Sequence, residues 1–454
     1  MLQRFPLLND LGNLDEPLAW RAGEPISRQR FLADSQGLAA ALPAGGPVLP
    51  MTADRYHFAL ALGAALLRGQ SALMPPNHTP DMVARLRSLF PSAYVLADPG
   101  QPALALPTVS FGPLEPRPAA AAVPALAGDH HAAWVLTSGS TGQPMPHGKH
   151  WGPLHANVGA EAARIARYLG RPSLRGVAVV GTVPAHHMYG FESTVLIGLI
   201  GGASFAAERP FYPQDVANTL ASVPRPRVLV TTPLHLKALL ESGVEVPPTD
   251  LVISATAPLS PQLAARAEAV CGGLLMEIYG CTEAGQVASR RTVEGPEWET
   301  FDELRLRGNG EFVTVSGGHV PEPTRLGDVL DVISPTRFRL LGRSNDLINV
   351  AGKRSSLSHL NHHLNSIDGV HDGVFFLPRE GHGEEAVRLV ALVVAPELSD
   401  SALRSALRER VDAAFLPRRI VRVRSLPRDA TGKLPAQRLA EWAAALLAAP
   451  ASRF

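Results

Sequence analysis

The run Thr137-Ser138-Gly139-Ser140-Thr141-Gly142-Gln143-Pro144 packs hydroxyl side chains and glycines into one short stretch. A loop of that composition turns backbone N–H groups and hydroxyls toward a common point, an arrangement that holds phosphate oxygens. The β-rich AAWVLT leads into it and a helix-like segment follows from about Lys149, so the loop sits between regular elements. It is not a Walker A loop. Five residues lie between Gly142 and Gly148-Lys149 where four are required, His150 stands where Ser or Thr is needed, and two prolines intervene.

Lysine usage points the same way. Lys and Arg together number 42, yet the only lysines are Lys149, Lys237, Lys353 and Lys433, so 38 of those cations are arginine. A planar guanidinium cannot replace a compact ammonium that must meet several oxygens from a flexible stem. Lys149 and Lys433 lie in Gly-rich stretches and are candidates for chemistry on that ground.

Composition narrows the class. At 454 residues the chain exceeds what one hydrophobic core supports, so two or more domains are expected. The formal net charge of +1, with no basic run, supplies no field for gathering a nucleic-acid backbone. Acidic residues Asp10, Asp15 and Glu16 interrupt the N-terminal stretch where a signal peptide would be apolar. The most apolar run, Phe58 to Leu67, is about half a membrane span and reads as a buried helix. Cys271 and Cys281 show no metal-binding or disulfide spacing. A cytoplasmic protein without membrane span or nucleic-acid partner is expected.

From about residue 47 to 280, β-rich runs (PVLPM, SALMP, AYVLAD, AAWVLTSGS, GVAVVGTV, RVLVTT, DLVISAT, GLLMEIY) alternate with helical stretches, the rhythm of layered parallel α/β sheets. Residues 286–341 change to short β segments without helices, which predicts a small barrel or an antiparallel sheet. After Gly342 the α/β alternation returns in miniature. The fold class is therefore α/β: a large N-terminal domain over 1–342 with a β-barrel-like subregion, then a small α+β domain over 347–454.

Further along stand Tyr279-Gly280-Cys281-Thr282-Glu283, Gly327-Asp328, Gly342-Arg343-Ser344-Asn345-Asp346, and Asp429-Ala430-Thr431-Gly432-Lys433. With the Ser/Thr/Gly loop, and in this order over residues 45 to 440, these resemble the core motifs of the AMP-forming adenylating superfamily: acyl- and aryl-CoA synthetases, nonribosomal adenylation domains and luciferases. The resemblance implies ATP and Mg2+. Thr137, Ser138, Gly139, Ser140, Thr141 and Gly142 would hold the departing β and γ phosphates, with Thr141 also near the metal. Ala255, Thr256 and Ala257 would pack on one side of adenine, with Tyr279 and Gly280 on the other. Thr282 and Glu283 would face the α-phosphate and Mg2+, Asp328 the ribose hydroxyls, and Arg343 a ribose or phosphate oxygen. Lys433 would bridge the substrate carboxylate and α-phosphate. The resemblance also makes 343–346, with Asn345, a hinge and the terminal domain mobile. These residue types suit the chemistry independently: attack of one anion on another needs Mg2+ and cations to offset charge at phosphorus, and one carboxylate can accept from two vicinal hydroxyls.

Two positions depart from the pattern. The family's first loop usually has lysine straight after its proline, but Met145 stands here and the nearest lysine is Lys149, which either reaches back over the loop or caps it. Asn345 replaces the usual acidic or lysine residue at the hinge.

Pro184-Ala185-His186-His187-Met188-Tyr189-Gly190 aligns with the segment that borders the acid pocket, placing His187 near the substrate carboxylate and Met188, Tyr189, Gly190 and Cys281 along the pocket. No aspartate between Val183 and Thr194 is present to pair with a substrate ammonium, which disfavours a free amino acid. The short form resembles hydroxybenzoate-activating ligases of aryl polyene pigment pathways, implying transfer to the phosphopantetheine of an acyl carrier protein; no basic cluster for CoA is evident in the sequence. Alternatives are a synthetase using free CoA, and a non-catalytic ATP- or adenylate-binding relative. His359, His362 and His363 read as a helix face, Lys353 as part of the pantetheine path, and Lys237 as an ordinary helix-surface residue.

Overall fold

The structure is a computed structural model. It describes residues 3–9, 13–112, 122–138, 144–343, 347–350, 353–378, 389–428, 434 and 436–448.

Two large sheets carry the chain up to residue 343. In the larger, six parallel strands run in the order Leu274–Cys281, Leu251–Ser254, Arg227–Thr231, Ala178–Gly181, Ser204–Ala206 and Pro17–Arg21. Antiparallel strands extend it at both edges: Glu24–Ser27 beyond Pro17–Arg21, and Gly285–Arg290, Glu297–Thr300, Arg337–Arg343 and Asp328–Ser334 beyond Leu274–Cys281. The smaller sheet sets Val48–Met51, Ala72–Met74, Tyr94–Ala97, Thr108–Ser110 and His131–Ser138 parallel, with Pro144–His150 antiparallel at its edge.

Strand alternation decides which layer each residue faces. Val228, Val230, Leu251, Ile253, Met276 and Ile278 join the central core, whereas Leu229, Val252 and Leu275 join a second core under the helices Pro213–Ser222, Pro233–Glu241 and Pro261–Cys271. The smaller sheet divides likewise, with Leu49, Leu73 and Val95 packing on the helix Pro80–Leu89. The central core also takes in the apolar helix Arg55–Leu67, buried on almost every side as its composition predicts. Each of the four outer helices opens on a proline, whose fixed φ and missing N–H suit a first turn.

Of the two readings for 286–341, the described residues form antiparallel sheets: the extension above and a separate sheet Arg305–Asn309, Phe312–Gly317, Val320–Arg325. The helix expected from about Lys149 begins at Trp151, and before it an unforeseen return strand, Pro144–His150, pairs antiparallel with His131–Ser138. Pro144 and Pro146 hold φ in the extended range at this edge strand, where a missing N–H is tolerated.

Beyond residue 346, the strands Asp372–Phe376, Val390–Val394 and Arg419–Arg422 form a small sheet with the helices Leu357–Asn365, Asp400–Arg408 and Ala436–Ala448. Its hydrophobic clusters share no member with those before residue 343. Lys237 is not the plain surface residue its helical position implies: its ammonium donates to the carbonyls of Val370 and His371, at 2.6 Å each. No helix among the described residues is long and apolar enough to cross a membrane.

Arg55 ties the layers together. Fully buried, it donates from Nε to Thr194 Oγ1 (2.9 Å), from Nη1 to the carbonyls of Ala206 (2.9 Å) and Glu208 (2.8 Å), and from Nη2 to those of Gly181 (3.0 Å) and Val183 (3.1 Å). All five guanidinium donors are used, and burial lowers its pKa to about 10. Arg55→Lys keeps the charge but leaves acceptors unmet, at roughly 1–3 kcal/mol each. Urea unfolding should show a loss of about 2–4 kcal/mol; unchanged stability would remove Arg55 from this role.

Candidate active site

The polarity change in the larger sheet creates the site. Leu274–Cys281 pairs in parallel on one side and turns back antiparallel into Gly285–Arg290 on the other. Its carboxyl end therefore carries Tyr279, Gly280 and Cys281 into a tight turn holding Thr282 and Glu283. The register shifts between Tyr279 and Gly280, and a Cβ on Gly280 would lie 2.4 Å from the carbonyl of Gly285, so only glycine permits the crossing.

Tyr279 is 8% exposed, its ring held edge-on by Trp298 at 5.8 Å and Phe338 at 5.5 Å. Its hydroxyl donates to Asp328 Oδ2 at 2.7 Å. Asp328 opens its strand opposite Arg343, so those two positions are cross-strand partners at the same sheet edge. Three residues separated widely in sequence thus converge.

The next strand ends at Ser254, and the following residues leave the sheet: Ala255 is buried, Thr256 has φ +78° and Ala257 is exposed. Tyr189 reaches this wall, its hydroxyl donating to the carbonyl of Ile253 at 3.0 Å. Tyr189 belongs to the single turn Met188–Gly190, which follows His187 and leads into a π-helix, Phe191–Leu196. Gly190 is required there, since a Cβ would come within 2.0 Å of the Pro184 carbonyl oxygen. His187 is half-buried with its ring 5.0 Å from that of His186. Burial, with His187, His78 and Arg209 nearby, lowers the His186 pKa to about 3, so that ring stays neutral at physiological pH.

Thr137 and Ser138 end their strand opposite Met145 and Pro144, so the hydroxyl-rich loop begins at the edge of the smaller sheet. Gly139, Ser140, Thr141 and Gly142 lie outside the described residues, as do Asn345 and Lys433; the side chains of Arg343, Lys353, His359 and His362 do too. Lys149 Nζ donates to the Thr282 carbonyl, joining the return strand to the Thr282–Glu283 turn. Met145, where the family's lysine usually stands, is 51% exposed.

Cys281 contacts the Ala284 backbone and the Glu283 side chain, and burial pushes its thiol up to about 12, which removes it as a nucleophile. Glu283 is exposed at the turn. A carboxylate completed by phosphate oxygens is a usual way of holding Mg2+, so the group fits.

Sequence reasoning missed the buried polar residues behind the turn: Glu161, Glu192, Asn157, Gln286 and His319. Glu192 was legible as the one ionisable residue within FESTVLIGLI; Glu161, on a helix with mixed faces, carried no such signal. The sequence also hides a basic cluster: Arg164, Arg167, Arg290, Arg291, Arg337 and Arg339 line one cavity, each paired with a carboxylate.

A model of the AMP-binding enzyme family matches residues 55–305. The chain belongs to the AMP-binding enzyme family. Relatives of this AMP-binding enzyme include a 4-coumarate–CoA ligase of Rhodobacter capsulatus, 31% identical over 303 residues, covering 65% of this chain and 73% of that protein. Another is triostin synthetase I of Streptomyces triostinicus, 26% identical over 67% of this chain and 63% of the relative. Among solved structures, an anthranilate CoA ligase in complex with anthranoyl-AMP superposes with TM-score 0.77 at 18% identity, covering 98% of both chains. A benzoate CoA ligase from Burkholderia xenovorans gives 0.76 at 19% identity, over 94% of this chain and 96% of that one. The layered α/β architecture is the fold of these ligases. The AMP-binding enzyme is an AMP-forming acid–thiol ligase, as its motifs imply.

Glu161 sits wholly buried beside Ser193 and Gln286, neither placed closely enough for a full hydrogen bond to its carboxyl, and burial pushes its pKa up to about 7. A carboxyl raised in this way keeps its proton in the native state after the unfolded chain has lost it. Stability therefore falls as pH rises from the ordinary carboxylate range through about 7. Glu161→Gln should gain on the order of 2–3 kcal/mol over the native chain at pH 8 and little at pH 4. A gain independent of pH in urea titrations would contradict this.

Proposed function

We propose that this ligase converts an aryl carboxylic acid, of hydroxybenzoate or hydroxycinnamate type, to its adenylate and passes the acyl group to a phosphopantetheine thiol, that of CoA. The observation that carries the acid class is the pocket segment: Tyr189 is tethered to the Ile253 carbonyl, with no carboxylate between Val183 and Thr194 exposed to meet an ammonium. The one acid in that stretch, Glu192, is buried behind it. Relatives described as 4-coumarate–CoA ligases support both acid and acceptor. A second reading, transfer to carrier-protein-bound phosphopantetheine, draws on the resemblance to pigment-pathway ligases and on the synthetase relative.

In this reading the adenylate's ribose meets Asp328, whose carboxylate is already oriented by Tyr279, and adenine lies between Tyr279 and residues 254–258. Thr137–Gly142 hold the departing phosphates, Thr282 faces the α-phosphate, Glu283 holds Mg2+, and Arg343 meets a ribose or phosphate oxygen. His187 borders the substrate carboxylate. Residues 343–346 serve as the hinge about which 347–454 rotates, bringing Lys433 to the carboxylate and α-phosphate for the first step and clearing it for the second.

Pyrophosphate release with a panel of benzoates, cinnamates and fatty acids, with and without CoA or a carrier protein, tests this. Aryl acids should give the highest kcat/KM and CoA should yield a thioester; activity confined to fatty acids, or thioester on carrier protein alone, would overturn acid or acceptor respectively. Lys433→Ala should depress adenylation by about a hundredfold or more while leaving thioester formation from supplied adenylate within a few fold. Equal loss in both steps would count against its assignment.

A further inference from the structure

The turn that carries Thr282 and Glu283 is gripped from behind at both ends. At its start, the ammonium of Lys149 donates to the Thr282 carbonyl. At its close, Gly285 has φ +75°, and a Cβ there would lie 3.2 Å from Asn157 Nδ2 and 3.4 Å from Glu192 Oε1. The Asn157 amide in turn donates to Glu192 Oε1. Glu192 is wholly buried, and burial raises its pKa to about 8 while nearby Lys149 opposes the rise. From a third direction, the buried His319 lies beside the backbone of Ala284 and Gln286.

We propose that Lys149, Asn157 and Glu192 form a clamp that fixes the Thr282–Glu283 turn, making Lys149 a positioning residue for adenylation and not a phosphate ligand. This rests on the reading of Glu283 as the Mg2+ side chain. The physical case is geometric. The three-residue turn 282–284 exposes the Glu283 carboxylate, and holding it where it meets a metal and a triphosphate demands that other backbone conformations be removed beforehand. The hydrogen bond from Lys149 to Thr282 and the close packing of Asn157 and Glu192 behind Gly285 do this. Lys149 suits the task because a compact ammonium on a long stem can reach a backbone carbonyl in a neighbouring turn. Its commitment to Thr282 also explains how the chain keeps a lysine near the loop while leaving the position after Pro144 to Met145.

The test compares Lys149→Met, Asn157→Ala and Glu283→Gln in the full chain, using hydrogen exchange of ligand-free protein and the kinetics of pyrophosphate release. Lys149→Met should speed amide exchange across 282–286 about tenfold with the rest of the larger sheet unchanged. In kinetics it should lower kcat by tens of fold and raise the Mg2+ concentration for half-maximal rate several fold, leaving KM for the acid within about threefold. If Lys149→Met does not fold, Asn157→Ala, which removes only the amide, should show the same pattern in weaker form.

Exchange and Mg2+ dependence within twofold of the native chain in the folded variants would overturn the clamp. So would a Lys149→Met variant that raises only KM for ATP, the signature of a phosphate ligand. Glu283→Gln separates the two layers of inference. If that variant leaves Mg2+ dependence unchanged, the reading of Glu283 fails irrespective of Lys149; if it shifts the dependence and Lys149→Met does not, the clamp alone fails.

Discussion

One strand, Leu274–Cys281, must satisfy a parallel neighbour on one edge and an antiparallel neighbour on the other. That requirement forces a tight reversal at the carboxyl end of a parallel array, the place where α/β sheets present ligand sites. Everything else at the site follows from it. The reversal needs Gly280 and Gly285, sends Glu283 outward, and brings Gly285–Arg290 alongside strands that lead to Asp328 and Arg343. The Tyr279–Asp328 hydrogen bond is the point where the parallel and antiparallel halves of the sheet meet in one pair of side chains.

Buried polar groups hold this geometry, and they do so by different means. Arg55 has every donor matched to a fixed acceptor, so it cements strand ends and the π-helix after the pocket segment. Lys149, Asn157 and Glu192 have fewer partners, and they gather behind a single turn. Glu161 lies between, buried without a full complement of hydrogen bonds, a cost to stability that grows as its proton is lost. Such unevenly satisfied groups gather near functional sites, where geometry is held against the fold's own preference.

Much of this was legible in the sequence. β-rich runs such as PVLPM, AYVLAD, RVLVTT and GLLMEIY marked the strands from Val48 to Cys281, with helical stretches between them. The ordered motifs located Tyr279, Thr282, Glu283 and Asp328 before their proximity was known. What the sequence concealed are contacts between distant residues of ordinary type: Arg55 with Val183 and Thr194, Lys149 with Thr282, Lys237 with Val370, and arginines from several strands and a helix around one cavity. Pairing partners of this kind depend on register and strand order, which no local pattern encodes. The helix expected after the Ser/Gly loop forms from Trp151; what stayed hidden is the extended strand Pro144–His150 before it, which the two prolines favour.

The most direct measurement is a crystal structure with a non-hydrolysable aroyl-adenylate mimic, an aryl acid joined to 5′-sulfamoyl adenosine. Adenine should lie between Tyr279 and residues 254–258, with the ribose hydroxyls within hydrogen-bonding distance of the Asp328 carboxylate and the aryl group beside Tyr189. A mimic bound with its ribose remote from Asp328, or seated away from the Tyr279–Glu283 turn, would contradict the assignment of this sheet edge as the adenylation site.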